Sequence, residues 1–87
     1  MKLMIIILQD TDGDNVVQEM VLNGYRVTRM ASTGGFLRRG NITLMVGLEE
    51  DKVDDVVELL KRVCCPPTTG EHRATIFIAN LPYYAQI

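Results

Sequence analysis

Residues 32–41 read STGGFLRRGN and gather, within one short loop, groups able to hold an anion and a flat ring. Successive backbone N–H groups in a glycine-rich turn form a concave nest for phosphate, and the guanidinium groups of Arg26, Arg38 and Arg39 add charge. Phe36 offers a stacking surface, and the Asn41 amide carries the donor–acceptor pair that matches adenine. Phosphate and base recognition are the two halves of a nucleotide site. A second reading fits the same residues: Phe36 and Leu37 tuck into a subunit interface and the arginines keep the surface soluble. Composition does not separate the two. The glycines do not lead from a strand into a helix, so the loop is neither a Walker loop nor a dinucleotide fingerprint.

Other candidate chemistries fail on spacing. DTDGD (10–14) places carboxylates at alternate positions like the start of a calcium loop, but the sixth and twelfth positions hold Asn15 and Val21 where glycine and a carboxylate are needed. A turn with Asp12 as helix N-cap is the simpler reading. The sole histidine, His72, has no nucleophile at a supporting spacing. Glu49–Glu50 and Asp54–Asp55 fall at a helix start or on its outer face, where charge is solvated. Cys64 and Cys65 are adjacent, which suits neither a zinc knuckle nor a redox pair, and they are expected as reduced thiols. No catalytic constellation, metal site or cofactor is expected.

The elements that position these residues follow from periodicity. KLMIIILQ (2–9) is apolar on both faces, as a central strand covered on both sides would be. A helix is expected from about residue 14 to 23, with Val16, Val17, Met20 and Val21 inward and Asn23-Gly24 as its stop. YRVTRMAS (25–32) alternates, with Arg26, Thr28 and Met30 on one side. NITLMVGL (41–48) alternates too, with Ile42, Leu44, Val46 and Leu48 opposite Asn41, Thr43, Met45 and Gly47. A second helix is expected across 49–63, acidic first and basic last as the macrodipole favours, with Val53, Val56, Val57 and Leu60 inward. CCPPTTGEH reads as a loop, RATIFIA as a strand, and NLPYYAQI as a tail in which Pro82 ends regular pairing.

The order β-α-β-β-α-β is the ferredoxin-like α+β arrangement, a four-stranded antiparallel sheet with both helices on one face. With 87 residues, the chain is read as a single domain over 1–87. Hydrophobic residues make up 47% and the mean hydropathy is +0.10, rich for so small a domain. The bare sheet face is therefore expected to pack on partner sheets in a closed homo-oligomer. A net charge of −2 argues against a binder of nucleic-acid polymers, whose footprint is basic. The apolar start LMIIIL soon meets Gln9 and Asp10, so it fits neither a signal peptide nor a membrane span, and a cytoplasmic location without membrane contact is expected.

In IIILQD, GYRVT, ASTGGFLRRGN and VGLEEDKVDDVVELL, and again in ATIFIANLPYYAQI, the chain resembles the PII-like cyclic-di-AMP receptors, the PstA, DarA or YaaQ-like family. The TGGFLR-x-GN-x-T run is highly specific. The resemblance implies a homotrimer with three cyclic-di-AMP molecules in clefts between subunits, the ligand acting as a signal and not being consumed. It implies that Arg26 and Thr28 meet phosphate or base, that Gly35, Phe36, Leu37 and Asn41 enclose an adenine, and that Gly47 gives backbone contacts. Phe77 and Gln86 would reach the ligand from the neighbouring subunit's last strand and tail. Asn41 would read the adenine amine and the amides near Gly35 would bind phosphate.

The chain departs from that pattern between Cys64 and Arg73. Family members carry a much longer loop there, implied to respond to ligand and to face a downstream protein; this chain has only CPPTTGEH. The short 64–72 loop bears on signal output more than on binding. Alternative readings are a PII-like or CutA-like trimeric module that binds ATP, another adenine nucleotide or a metal in the same clefts, and a structural trimer without ligand. For an enzyme acting on cyclic dinucleotides, no residue is placed to activate water.

Overall fold

The computed structural model describes residues 1–31, 40–64, 74–83, 85 and 87. In chain order the elements are β1 (Lys2–Gln9), α1 (Asp10–Leu22), β2 (Val27–Ala31), β3 (Asn41–Leu48), a 3₁₀ turn (Glu50–Lys52), α2 (Val53–Val63) and β4 (Ala74–Asn80). The strands form one antiparallel sheet in the order β2-β3-β1-β4, which is the ferredoxin-like topology. β1 and β3 lie inside it, pairing from Lys2 opposite Leu48 to Gln9 opposite Asn41.

Strand alternation divides the sheet cleanly. Met4, Ile6, Leu8, Ile42, Leu44, Val46 and Leu48 are buried in one cluster with Val16 and Met20 of α1 and Val56, Leu59 and Leu60 of α2. Both helices therefore cover the same face. Side chains such as Met4, Ile6 and Leu44, with no exposed surface, each contribute roughly 1.5–3 kcal/mol of apolar transfer energy. The opposite face presents Leu3, Ile5 and Ile7 from β1, Met45 and Gly47 from β3, Thr28 and Met30 from β2 and Phe77 from β4. No described element covers it, and Met30 and Phe77 are about half exposed.

α1 starts directly after β1, four residues earlier than the turn-like DTDGD suggests. Asp12 is a buried residue of its first turn instead of an N-cap, and the residue at the N-cap, Gln9, gives no side-chain cap. Two forces favour the early start. Carboxylates in the first turns suit the positive end of the helix dipole, and Asp14 pairs with Arg29 of β2 at 2.6 Å. Gly13 is buried against Ile42, where a Cβ would collide.

The helix ends at Leu22, and its exit is set by Gly24 at φ +86. The Tyr25 N–H donates to the Met20 carbonyl and the Gly24 N–H to the Val21 carbonyl, both at 3.0 Å, a Schellman closure that turns the chain into β2. Val21 is exposed, not inward as expected, since its neighbours Met20 and Val17 already fill the face toward the sheet.

The single helix expected over 49–63 is divided into the 3₁₀ turn and α2. Its buried stripe is Val56, Leu59 and Leu60, at helical spacing, with Val53 and Val57 only partly covered. β2 begins two residues later than the alternation of 25–32 suggests, leaving Arg26 just ahead of the strand, and β4 runs one residue further than RATIFIA, to Asn80. Cys64 is buried at the end of α2. Cys65, His72 and the glycine-rich run 32–39 lie outside the described residues. Among the described residues no helix is long and apolar enough to cross a membrane, and no group of three or more His, Cys, Asp or Glu could hold a metal.

Thr43 is the exception on the open face. It is 7% exposed, between Ile7 and Met30, and its Oγ1 has no hydrogen-bond partner among the described residues. A buried hydroxyl without a partner costs about 1–3 kcal/mol. Thr43→Val should therefore raise the unfolding free energy by about 1 kcal/mol, read as a higher urea midpoint at unchanged slope. A lower midpoint would mean that the hydroxyl is satisfied in the folded protein.

Candidate functional site

Where β2 begins and β3 ends, the open face hollows into a groove of about 860 Å³. That volume is within the range of small-molecule sites. Leu3, Met45 and Gly47 contribute from the sheet, Tyr25, Arg26 and Thr28 from the β2 start, and Glu49 and Lys52 from the segment after β3. Strand register brings them together: Thr28 faces Met45, and Gly47 faces Leu3. The Schellman closure at Gly24 sets where Tyr25 and Arg26 emerge.

Gly47 lies on the open face, so a side chain there would stand into the groove. A glycine inside a strand commonly marks close approach of a ligand or another backbone. Among the described residues its charged side chains are Arg26, Lys52 and Glu49. The surface thus suits a ligand with a flat apolar part lying along Leu3 and Met45 and an anionic part near the cations.

Of the residues expected from the sequence, the structure joins Arg26, Thr28 and Gly47 in this groove. Asn41 is on the same face at the other end of β3, six residues from Gly47 and so about 20 Å away. Phe77 also belongs to the open face, opposite Ile5. It is separated from Thr28 by the intervening strands β3 and β1, about 14 Å across the sheet. One subunit does not bring Asn41 or Phe77 into the groove. Gly35, Phe36, Leu37 and Gln86 lie outside the described residues.

Tyr25, Glu49 and Lys52 line the groove without having been singled out by sequence. Tyr25 had a signal, since it directly follows the Asn23-Gly24 helix stop and must emerge at the mouth of β2. Lys52 had none, because an unbroken helix over 49–63 would treat it as one more solvated charge.

A groove of this size, with Arg26 and Lys52 at its lining beside a ferredoxin-like sheet, has the dimensions of a small-molecule site. Residues 1–82 match the family model described as cyclic-di-AMP receptor, and the chain belongs to that family, a family of ligand receptors and not of enzymes. The match includes Arg26, Thr28, Asn41, Gly47 and Phe77; Gln86 falls beyond it. The chain is also similar to the crystal structure of a functionally unknown protein from Pediococcus pentosaceus ATCC 25745. The two share 29% identity with a TM-score of 0.79, over 99% of this chain and 96% of that one.

Proposed function

We propose that this protein is a cyclic-di-AMP-binding signal receptor that works as a homotrimer in the cytoplasm. Its ligand lies in clefts where the groove of one subunit meets β4 and the tail of the next. In each cleft Arg26 and Thr28 hold phosphate or base and the Gly47 backbone closes on the ligand. Gly35, Phe36 and Leu37 enclose an adenine whose amine Asn41 reads, and Phe77 and Gln86 come from the neighbouring subunit. The ligand is sensed and released unchanged, and a downstream protein reads the bound state.

The observation that carries this reading is the coincidence of the family match with a groove holding Arg26, Thr28 and Gly47. The uncovered apolar face supports assembly, since an apolar patch of this kind usually marks an interaction surface. Phe77, on the same face but on the edge strand opposite the groove, supports a site completed by a second copy.

Calorimetric titration with cyclic-di-AMP, ATP and cyclic-di-GMP tests the proposal. Tightest binding to cyclic-di-AMP is expected, and at a hundredfold excess over Kd the ligand should stabilise the folded protein by about 2.7 kcal/mol. Preference for ATP would move the protein to an adenine-nucleotide module. No heat with any of the three would refute nucleotide binding.

A further inference from the structure

We infer that Lys52 is a further ligand-binding residue, whose ammonium supplies the charge that makes the groove attractive to phosphodiesters. The inference rests on the cyclic-di-AMP reading above and adds a residue to that site. Lys52 lines the same groove as Arg26, Thr28 and Gly47. It has no side-chain hydrogen bond or ion pair among the described residues, unlike Lys61, which reaches Glu58 at 3.4 Å, and Arg29, which holds Asp14 at 2.6 Å.

Its backbone is well placed for this role. Lys52 closes the 3₁₀ turn that directly follows β3, and its N–H donates to the Glu49 carbonyl at 3.0 Å. The turn is thereby tied to the strand that carries Gly47. The flexible four-carbon stem then delivers a compact charge without demanding the planar fit of a guanidinium.

Charge balance shows why the residue matters. Among the described side chains of the lining, Arg26 and Lys52 are cations and Glu49 is an anion, a sum of plus one. Without Lys52, the side chains of Arg26 and Glu49 balance, and a ligand bearing two negative phosphodiesters meets one positive charge fewer. Lys52 also borders a smaller cavity of about 370 Å³ on the helix side, beside Asp55 and Glu58. Glu58 is already engaged by Lys61. The competitors for the ammonium among the described residues are Glu49 in the groove and Asp55 beside the smaller cavity, neither of which it pairs with, against the two charges a bound ligand brings.

The test is titration of cyclic-di-AMP into wild type, Lys52→Met, Lys52→Arg and the charge-matched control Lys61→Met, at low and high ionic strength. At low salt Lys52→Met should bind roughly two- to fivefold more weakly, the scale of one surface charge pair. The loss should shrink as salt shortens the Debye length from about 10 Å at 0.1 M to about 3 Å at 1 M. Lys52→Arg and Lys61→Met should stay near wild type. Equal affinity for Lys52→Met and wild type at low salt would overturn the assignment while leaving the ligand intact, as would an equal loss in Lys61→Met, which would signal overall charge alone. A wild type that does not bind would instead remove the ligand reading, and this assignment with it.

Discussion

Placing an aspartate at Ile5 should dissociate the proposed trimer and reduce cyclic-di-AMP binding by more than a hundredfold, on the order of 2.7 kcal/mol or more. Ile5 sits mid-strand on the open face, between Met45 of β3 and Phe77 of β4. It is half-buried in an isolated subunit, so a carboxylate there still reaches water and the fold should survive. Packed against a partner sheet, the same carboxylate loses that water without gaining a counter-ion. The desolvation cost of several kcal/mol exceeds what one lost apolar contact would explain. Sedimentation should show a single-subunit mass, circular dichroism a retained fold, and calorimetry little heat. A variant that stays assembled, or a monomer that binds at wild-type affinity, contradicts the shared-site arrangement.

Arg26→Ala should weaken binding of cyclic-di-AMP by more than tenfold, or about 1.4 kcal/mol and upward. Charge-assisted contacts from a guanidinium to phosphate are about twice as strong as neutral ones and are often bidentate. Arg26→Lys should recover only part of the loss, because an ammonium restores the charge but not the fork. Arg26 is exposed, and surface substitutions usually change stability by no more than about 0.5 kcal/mol. A large drop in affinity with a nearly unchanged ligand-free melting temperature would therefore locate the effect in the groove. Unchanged affinity would remove Arg26 from the site.

Much of the scaffold was legible in the sequence. The bounds of β1 and β3 agree to the residue with the apolar run of 2–9 and the alternation of 41–48, and their pairing buries Met4, Ile6, Leu8, Leu44 and Val46 together. The start of α1 was not legible. Asp and Gly carry turn propensity, and only packing of Gly13 against Ile42, together with the Asp14–Arg29 pair, makes helix the better state there. These are long-range contacts that no local window contains.

The site divides in the same way. Alternation placed Arg26, Thr28 and Gly47 on the open face, but their meeting in one groove depends on the antiparallel register that puts Val27 opposite Val46. Lys52 was hidden because its position follows from a one-turn 3₁₀ segment that periodicity absorbs into α2. The distance of Phe77 from the groove follows from the strand order β2-β3-β1-β4, which the ferredoxin-like topology already implied.

The groove is built on the two inner strands, each hydrogen-bonded to a neighbour along both sides. Such strands open only near global unfolding. A molecule settling on Leu3, Met45 and Gly47 therefore meets a bed that does not yield, and its arrival cannot be announced by bending the sheet. In the proposed receptor, a response to occupancy would therefore leave through the margins of the groove: the short run from Gly24 to Arg26 and the single turn that ends at Lys52.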